Sequence, residues 1–196
     1  MLADARLNAA LDAAVPASVK LSVHDAYSAT GAGLIAGPIK TAGTMTAAAS
    51  RSKPLSAAVD ILSIPAAAVV RWIGMWDGTT DTIFIGMFPN GGSDKSFQVD
   101  TTVNERILCE GHGYVNGDTV VFHNGNPGTA LAVGTAYFVV LQAAADPDYF
   151  SVALTSGGAA INLTDQPAIT CRVSKLVQET YASAGTHRVS TLAVSL

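Results

Sequence analysis

The chain has 196 residues, of which 49% are hydrophobic and 13% are charged. It is therefore long and apolar enough for a buried core in one large or two small domains, and a disordered chain is excluded. The net charge of −4 comes with scattered lysine and arginine residues and no basic stripe, which excludes nucleic acid as an expected partner, and so few charges favour a subunit that buries surface against its neighbours.

The N-terminal segment predicts one short helix followed by strands. Residues 3–14 predict the helix, because Leu7 and Leu11 are four apart and share one face, and Pro16 ends the pattern. Residues 19–24 then alternate between apolar and polar side chains, as a half-buried strand does. Further strands are predicted at residues 57–64, 68–76 and 82–88. The last of these is apolar on both faces, which is typical of a central sandwich strand or of a subunit contact.

Neither a secretory signal nor a membrane span is expected. Residues 1–6 lack a basic start followed by an apolar run. The most apolar stretch, residues 55–76, is interrupted by Asp60, Pro65 and Arg71, so it does not predict a spanning helix. We therefore expect no membrane insertion.

A change in composition marks a second segment. Residues 90–95 form a polar, glycine-rich linker. Short strands follow at close spacing, separated by turn sequences such as Asn116-Gly117 and Asp146-Pro147-Asp148. This spacing is typical of a compact sandwich or a small barrel. The strands are predicted at residues 96–101, 105–110, 118–123, 136–141, 149–154, 160–163 and 168–173.

The C-terminal residues return to the pattern of the first segment. Residues 186–196 alternate, with Leu192, Val194 and Leu196 on one face, and we expect them to pair inside the first domain. The sequence therefore predicts an all-β chain in which a β-sandwich with a short N-terminal helix carries an inserted small β-barrel or β-sandwich domain. The sandwich comprises residues 1–90 and 177–196, and the insert comprises residues 91–176.

The chain has two cysteines, Cys109 and Cys171, which are too few and too far apart for a zinc site or a disulfide framework. Both lie in strand-like sequences near the two ends of the insert. A disulfide is geometrically possible if those ends pair as neighbouring strands. Two buried, reduced thiols are the favoured interpretation for a protein made in a cytoplasm.

No catalytic chemistry is predicted. The four histidines, His24, His112, His123 and His187, occur in no nucleophile or metal-binding motif. Five aspartates lie in or beside predicted turns, where this residue type binds the local backbone, namely Asp77, Asp81, Asp118, Asp146 and Asp148. Asp146 and Asp148 supply only two local carboxylates, too few for a calcium loop. We therefore expect no enzyme activity, no cofactor and no metal.

Aromatic side chains are the candidate contact residues. In alternating strands such residues are more often core or subunit anchors, whereas exposed ones can stack on sugars. The candidates for subunit contact or glycan stacking are Trp72, Trp76, Phe84, Phe88, Tyr114 and Tyr149.

Two parts of the chain resemble bacteriophage proteins. Residues 9–13, 19–32 and 70–78, which include Val70-Arg71-Trp72-Ile73-Gly74-Met75-Trp76, resemble a family of small phage proteins labelled tail fibre or minor tail protein. The insert is similar to a small β-module that recurs in phage tail proteins. That similarity lies in residues 111–122, 131–140, 149–154 and 157–163.

The resemblance implies a structural component of the bacteriophage virion, made in the host cytoplasm. We expect a minor tail protein at the tail tip or baseplate that acts by oligomeric packing, with copies of itself and other virion proteins as partners. Two alternatives stay open: a capsid decoration (cementing) protein, and a receptor-binding module that holds a host cell-surface glycan through Tyr114 or Tyr149. A cell-wall glycosidase is disfavoured, because no carboxylate pair can be nominated for it.

Overall fold

The structure, a computed structural model, describes residues 2–35, 40–80, 82–91, 94–100, 102–103, 105–141 and 147–195. Within these ranges the chain is all-β with one short N-terminal helix, as the sequence predicts. The elements are α1 (Leu2–Ala14), β1 (Ser18–His24), β2 (Thr41–Thr44), β3 (Ser52–Pro54), β4 (Val59–Ile64), β5 (Val69–Val70), β6 (Trp72–Asp77), β7 (Phe84–Pro89), β8 (Gln98–Val99), β9 (Ile107–Leu108), β10 (Thr119–His123), β11 (Ala136–Val140), β12 (Tyr149–Ala153), β13 (Arg172–Lys175), β14 (Glu179–Thr180), β15 (Gly185–Val189) and β16 (Ala193–Ser195).

The chain divides into two compact units. The discontinuous unit comprises Met1–Phe88 and Gln178–Leu196, and the inserted unit comprises Pro89–Val177. The sequence analysis places the corresponding boundaries at residues 90/91 and 176/177. At the junction, the Val177 N–H donates to the Asn90 carbonyl at 2.9 Å. The two ends of the inserted unit are therefore neighbours, which lets it leave and re-enter the surrounding chain at one place.

The discontinuous unit is built on a four-stranded sheet in the order β2-β1-β6-β7. Strands β1 and β6 are antiparallel, with Leu21 opposite Met75. Both of these side chains are fully buried, because alternate residues of a strand face the same side. Leu11 of helix α1 and Val15, the residue after the helix, pack into this core, and each is 2% exposed.

Three two-stranded sheets complete this unit, and each pairs a C-terminal strand with an N-terminal one. Their pairs are β14-β5, β15-β4 and β16-β3. The expected return of the C-terminal residues to the first domain is therefore confirmed. The single strand predicted at residues 186–196 is instead two strands, β15 and β16, because the chain leaves β4 and pairs next with β3.

The strand predicted at residues 68–76 is also two strands, divided at Arg71. Before that residue β5 pairs with β14, and after it β6 pairs with β1. The Arg71 guanidinium donates to the side-chain oxygen of Gln178 at 2.7 Å and to the Asp25 carbonyl at 3.1 Å. The chain thus passes from one sheet to another at Arg71, whose side chain is hydrogen-bonded to both Asp25 and Gln178.

The inserted unit is a six-stranded antiparallel sheet in the order β13-β10-β11-β12-β9-β8. Strand β13 also pairs with the segment before β8, where the backbones of Lys95 and Val173 exchange two hydrogen bonds of 3.0 Å. The sheet therefore curls around one core. That core contains Phe97, Ile107, Phe122, Tyr137, Phe150, Val152 and Val173.

Two strand predictions in the inserted unit are wrong. Residues 160–163 form no strand; they run beside β12 with one backbone hydrogen bond, from Ile161 to Val152 at 2.8 Å. The strand predicted at 168–173 begins only at Arg172, because the Cys171 N–H closes a turn onto the Ala168 carbonyl at 2.8 Å. Parts of other predictions lie outside the described residues, namely Gly92, Ser93, Thr101, Asp146 and Leu196.

Candidate functional site

The predicted aromatic residues of the discontinuous unit gather on the face of the sheet opposite its core. Tyr27 packs edge-on against Trp72 at 5.2 Å, and Phe84 packs edge-on against Trp76 at 5.0 Å between ring centroids. Trp72 is 2% exposed and Trp76 is 7% exposed. These indoles therefore support the sheet, and neither offers an open ring face to a sugar.

The loop after β1 covers these rings closely. Gly31 has a φ of +74°, and a Cβ at this position would lie 2.5–2.6 Å from the Trp76 and Phe84 rings. Only glycine fits that approach at that backbone angle. The Lys40 ammonium lies 3.5 Å from the centroid of the Trp76 ring, a cation–π contact. Phe88, the fourth predicted aromatic of this unit, is 6% exposed and belongs to the core on the other face.

Beneath that loop, Ser22 and His24 form a buried hydroxyl–imidazole pair. The Ser22 Oγ lies 2.8 Å from the His24 Nε2, and the Trp76 Nε1–H donates to the same Oγ at 2.8 Å. The His24 Nδ1–H donates to the Ala32 carbonyl at 3.3 Å. Burial lowers the pKa of His24. Both residues are 0% exposed, so this pair joins the sheet to the loop and is closed to a substrate.

The two predicted contact residues of the inserted unit, Tyr114 and Tyr149, are also covered. Tyr114 is 7% exposed, packs edge-on against Phe150, and donates its hydroxyl to the Val173 carbonyl at 3.4 Å. Burial raises the pKa of Tyr114. Tyr149 is half-buried, and the Arg106 guanidinium lies 4.5 Å from its ring centroid. The structure does not bring these two rings together into an open sugar-stacking platform.

Asp94, His123 and Ser174 contain the three groups of a hydrolase triad in a different arrangement. The Ser174 hydroxyl donates to the Asp94 carboxylate at 2.8 Å, so the His123 Nε2 must donate to the Ser174 Oγ, 2.9 Å away. The same Nε2 lies 3.2 Å from the carboxylate, while Nδ1 has no partner within the described residues. A triad requires the acid on one ring nitrogen and the serine on the other.

Burial determines what this trio can do. His123 is 1% exposed and Ser174 is 0% exposed. Burial acts to raise the pKa of Asp94, but the hydrogen bond and charge of His123 and the Ser174 hydroxyl outweigh it, so the pKa lies below its ordinary value. The carboxylate therefore ties the segment before β8 to β10 and β13. The sequence gives no local signal for it, because its three members are far apart in the chain.

The two cysteines are free, buried thiols, which is the interpretation that the sequence favours over a disulfide. Both belong to the core of the inserted unit. Burial raises the pKa of Cys109, and it raises the pKa of Cys171 to about 11. Near neutral pH both are therefore protonated and unreactive.

A cleft of about 820 Å³ opens in the inserted unit. It lies between the start of β8 and the loop of residues 166–171. The exposed Ile169 and the side chains of Phe97 and Leu108 give it apolar walls, and Lys95 and Glu110 give it one charge of each sign. Sequence analysis missed this cleft, since its only local signal is the Gln166-Pro167 pair in a turn-rich stretch.

An open sheet edge is the corresponding feature of the discontinuous unit. Strand β7 is the last strand of its sheet, and within the described residues no strand lies on its other side. The opposite edge, β2, is partly covered, because the Ser56 N–H donates to the Thr44 carbonyl at 2.8 Å. Ile83, just before β7, is 58% exposed.

In the described part of the chain, no group of three or more His, Cys, Asp or Glu side chains is placed to hold a metal ion. No helix among the same residues is long and apolar enough to cross a membrane. Comparison with protein-family models, with curated protein sequences and with solved structures finds no match to this chain.

Proposed function

We propose that this chain is a structural subunit of a bacteriophage virion, a minor tail protein at the tail tip or baseplate. It works by packing against copies of itself and against neighbouring tail proteins, and it performs no chemical step. The resemblance of its two segments to phage tail proteins is the reason for proposing a virion role. The edge of β7, beside which no further strand lies in the described residues, is where we expect it to assemble.

That edge is the observation that carries the proposal. The six residues of β7, Phe-Ile-Gly-Met-Phe-Pro, include no charged side chain. An unpaired strand presents a row of free N–H and C=O groups, and proteins that stay monomeric usually protect such an edge with charges, a bulge or a covering segment. In the described residues β7 has no strand beyond it, so another chain can extend the sheet there.

Low surface charge supports the same conclusion. The chain has 26 charged residues, 11 basic and 15 acidic, in 196. Large aliphatic side chains are exposed in their place, among them Leu62 and Ile83 in the discontinuous unit and Leu154 and Ile169 in the inserted unit. Leu62, at 60% exposed, lies where β4 bulges opposite β15, beside Ser63 at a φ of +59°. Apolar surface of this kind is typical of a subunit contact.

The oligomeric state of the purified full chain tests this proposal. We expect sedimentation velocity to show an oligomer, and we expect Ile83→Lys to shift it toward monomer, because the new charge stands at the start of the open edge. Ile83 is largely exposed, so the variant keeps its fold. Ser156→Lys is the matched control; it adds the same charge on an exposed turn of the inserted unit and leaves the oligomer intact.

A monodisperse monomer with no affinity for other tail proteins would overturn the proposal. Location is tested separately, by tracing the chain in an electron-microscopy map of the whole particle. Density at the tail tip or baseplate supports the placement. Density on the capsid shell overturns the tail placement and favours a decoration protein.

A further inference from the structure

In the inserted unit, the backbone pairing between Lys95 and Val173 does not continue along β8. Lys95 and Val173 exchange two backbone hydrogen bonds of 3.0 Å where the sheet meets itself. In an antiparallel ladder such exchanges recur at every second residue. If the pairing continued along β8, Phe97 would bond to Cys171, and Val99 would bond to Ile169.

The loop after residue 166 withdraws from this ladder. The Cys171 N–H donates to the Ala168 carbonyl at 2.8 Å, and the Cys171 carbonyl accepts from the Arg172 guanidinium at 3.0 Å. Both groups that would pair with Phe97 are therefore committed elsewhere. Among the described residues, neither the N–H nor the C=O of Phe97 has a hydrogen-bond partner, and Phe97 lines the cleft.

Two residues further along, at Val99, a side chain occupies the place of the missing strand. The Val99 N–H donates to the Gln166 Oε1 at 3.1 Å, and the Gln166 Nε2 donates to the Val99 carbonyl at 2.6 Å. These are the two bonds that the peptide groups of an antiparallel neighbour make. A primary amide has the same donor and acceptor as a peptide bond. Gln166 therefore mimics a strand at this edge.

The walls of the cleft match an apolar strand. Phe97 and Leu108 line the cleft, and the neighbouring loop presents Ile169, which is 94% exposed. Lys95 and Glu110 carry opposite charges, so the cleft selects neither a strongly acidic nor a strongly basic ligand. The Gln166 residue itself is exposed and sits in a loop, which makes its side chain displaceable.

We propose that the cleft beside Phe97 and Val99 is a strand-addition site that binds an extended, uncharged peptide segment of another protein. The backbone of the segment pairs with Phe97 and, once the Gln166 side chain swings away, with Val99. Its alternate apolar side chains contact Phe97, Leu108 and Ile169. Main-chain hydrogen bonds supply the affinity, and the apolar walls supply the preference for apolar side chains, as in other cases of strand addition. This inference does not rest on the virion role, because it concerns the chemistry of the inserted unit alone.

Titration of the isotope-labelled full chain with a defined peptide tests it. The probe is a capped six-residue peptide of alternating valine and threonine, which favours the extended state. We expect the largest amide chemical-shift changes at Phe97 and Val99, and slowed hydrogen exchange at Phe97. Methylating the valine nitrogens in one copy and the threonine nitrogens in another removes alternate donors, and we expect at least one of the two to lose binding.

Two amide variants test whether the Gln166 side chain competes with the peptide. Gln166→Ala removes the two bonds that a peptide must replace, so we expect it to bind the probe about tenfold more tightly. Asn162→Ala is the matched control, because Asn162 is also an exposed amide of the inserted unit but does not line the cleft; its affinity stays that of the unmodified chain. Unchanged affinity in Gln166→Ala, undiminished binding of both methylated peptides, or no binding of the probe to either protein at millimolar concentration overturns the proposal.

Discussion

The two units of this chain bury similar side chains but are completed in different ways. The inserted unit is one contiguous segment, and its six strands form a single sheet. The discontinuous unit has one four-stranded sheet and three two-stranded sheets, and each of these three takes one strand from residues 178–196. Its N-terminal part therefore cannot close its core until the end of the chain arrives, whereas the inserted unit needs neither terminus.

Truncation after Val177 produces the largest effect that this comparison predicts. It removes β14, β15 and β16, the partners of β5, β4 and β3, and it removes the buried Val189. We expect the discontinuous unit to unfold and the inserted unit to keep its sheet. Both tryptophans of the chain, Trp72 and Trp76, lie in the discontinuous unit, so tryptophan fluorescence reports on it alone, and hydrogen exchange of residues 107–153 reports on the inserted unit.

The matched control removes the other unit. Because Asn90 and Val177 are hydrogen-bonded neighbours, residues 91–176 can be replaced by a short glycine–serine linker without straining the surrounding chain. We expect this deletion to retain the native tryptophan emission. Loss of that emission here would show that the discontinuous unit needs the inserted unit to fold, and its survival in the truncated chain would show that β14, β15 and β16 are not needed to complete the discontinuous unit.

Single core substitutions come next in size. Phe122→Ala removes a 0% exposed ring that packs against Phe97 and Tyr137 in the inserted unit, and we expect a loss of about 3–5 kcal/mol in its free energy of unfolding. Ile61→Ala removes a 0% exposed side chain from the discontinuous unit, and we expect about 2–5 kcal/mol. Urea titrations followed by fluorescence and by hydrogen exchange should assign each loss to its own unit.

Most of what the sequence could not reveal lies where side chains from distant positions complete the structure. Apolar alternation located β1, β4, β10, β11 and β12, because each packs one face on a core. It missed β3, which follows a tight turn with positive φ at Ser50 and Arg51. Such a turn is normally signalled by asparagine and glycine.

The polar face of α1 explains how that turn forms without those residues. Asp4, Asn8 and Asp12 are spaced four apart and so lie in one row. Asn8 accepts the Arg51 N–H at 2.8 Å, Asp4 accepts from the Arg51 side chain at 2.7 Å, and Asp12 accepts from the nearly buried Lys53 ammonium at 2.7 Å. Sequence periodicity identified only the apolar row of this helix, since the function of a polar row depends on which segment folds against it.

For the candidate site, the sequence singled out aromatic residues for subunit contact or glycan stacking, but it could not tell that they are covered. Trp76 packs against Phe84 and Trp72 packs against Tyr27, and a loop containing Gly31 closes over Trp76 and Phe84. Which side of a strand a loop covers depends on the path of the loop, and no local pattern encodes that path. The pairing of Gln166 with Val99 was missed for the same reason, because the two residues are 67 positions apart in the chain.

Asn8→Ala tests the polar row of α1 with a smaller change. It removes the acceptor of the Arg51 N–H and leaves the aspartates of the row in place. We expect the discontinuous unit to lose about 1 kcal/mol and the inserted unit to lose nothing, as measured by the urea midpoint of tryptophan fluorescence. Asn126→Ala is the matched control, because Asn126 makes its turn bond to Gly128 inside the inserted unit; it should leave the fluorescence midpoint where it was.

Acidification should give the smallest effect and should again distinguish the two units. Burial lowers the pKa of both His24 and His187 below 6.5, and for His187 it outweighs the Glu179 carboxylate 3.1 Å away. Between those lowered values and 6.5 the unfolded chain binds protons that the folded chain does not, so stability falls as the pH falls. Both histidines belong to the discontinuous unit.

In the inserted unit, the Asp94 carboxylate responds in a lower range of pH. The pKa of Asp94 is below 3.8, so the stability that its carboxylate contributes is present above that pH and is lost only as the pH falls further. Between about pH 7.5 and about pH 5 we therefore expect the urea midpoint of the tryptophan signal to fall more than the midpoint from hydrogen exchange of the inserted unit. His187→Asn should reduce that fall, because one of the two groups that titrate differently in the folded and unfolded chain is gone. Equal losses in both units would mean that the buried histidines of the discontinuous unit do not control its response to acid.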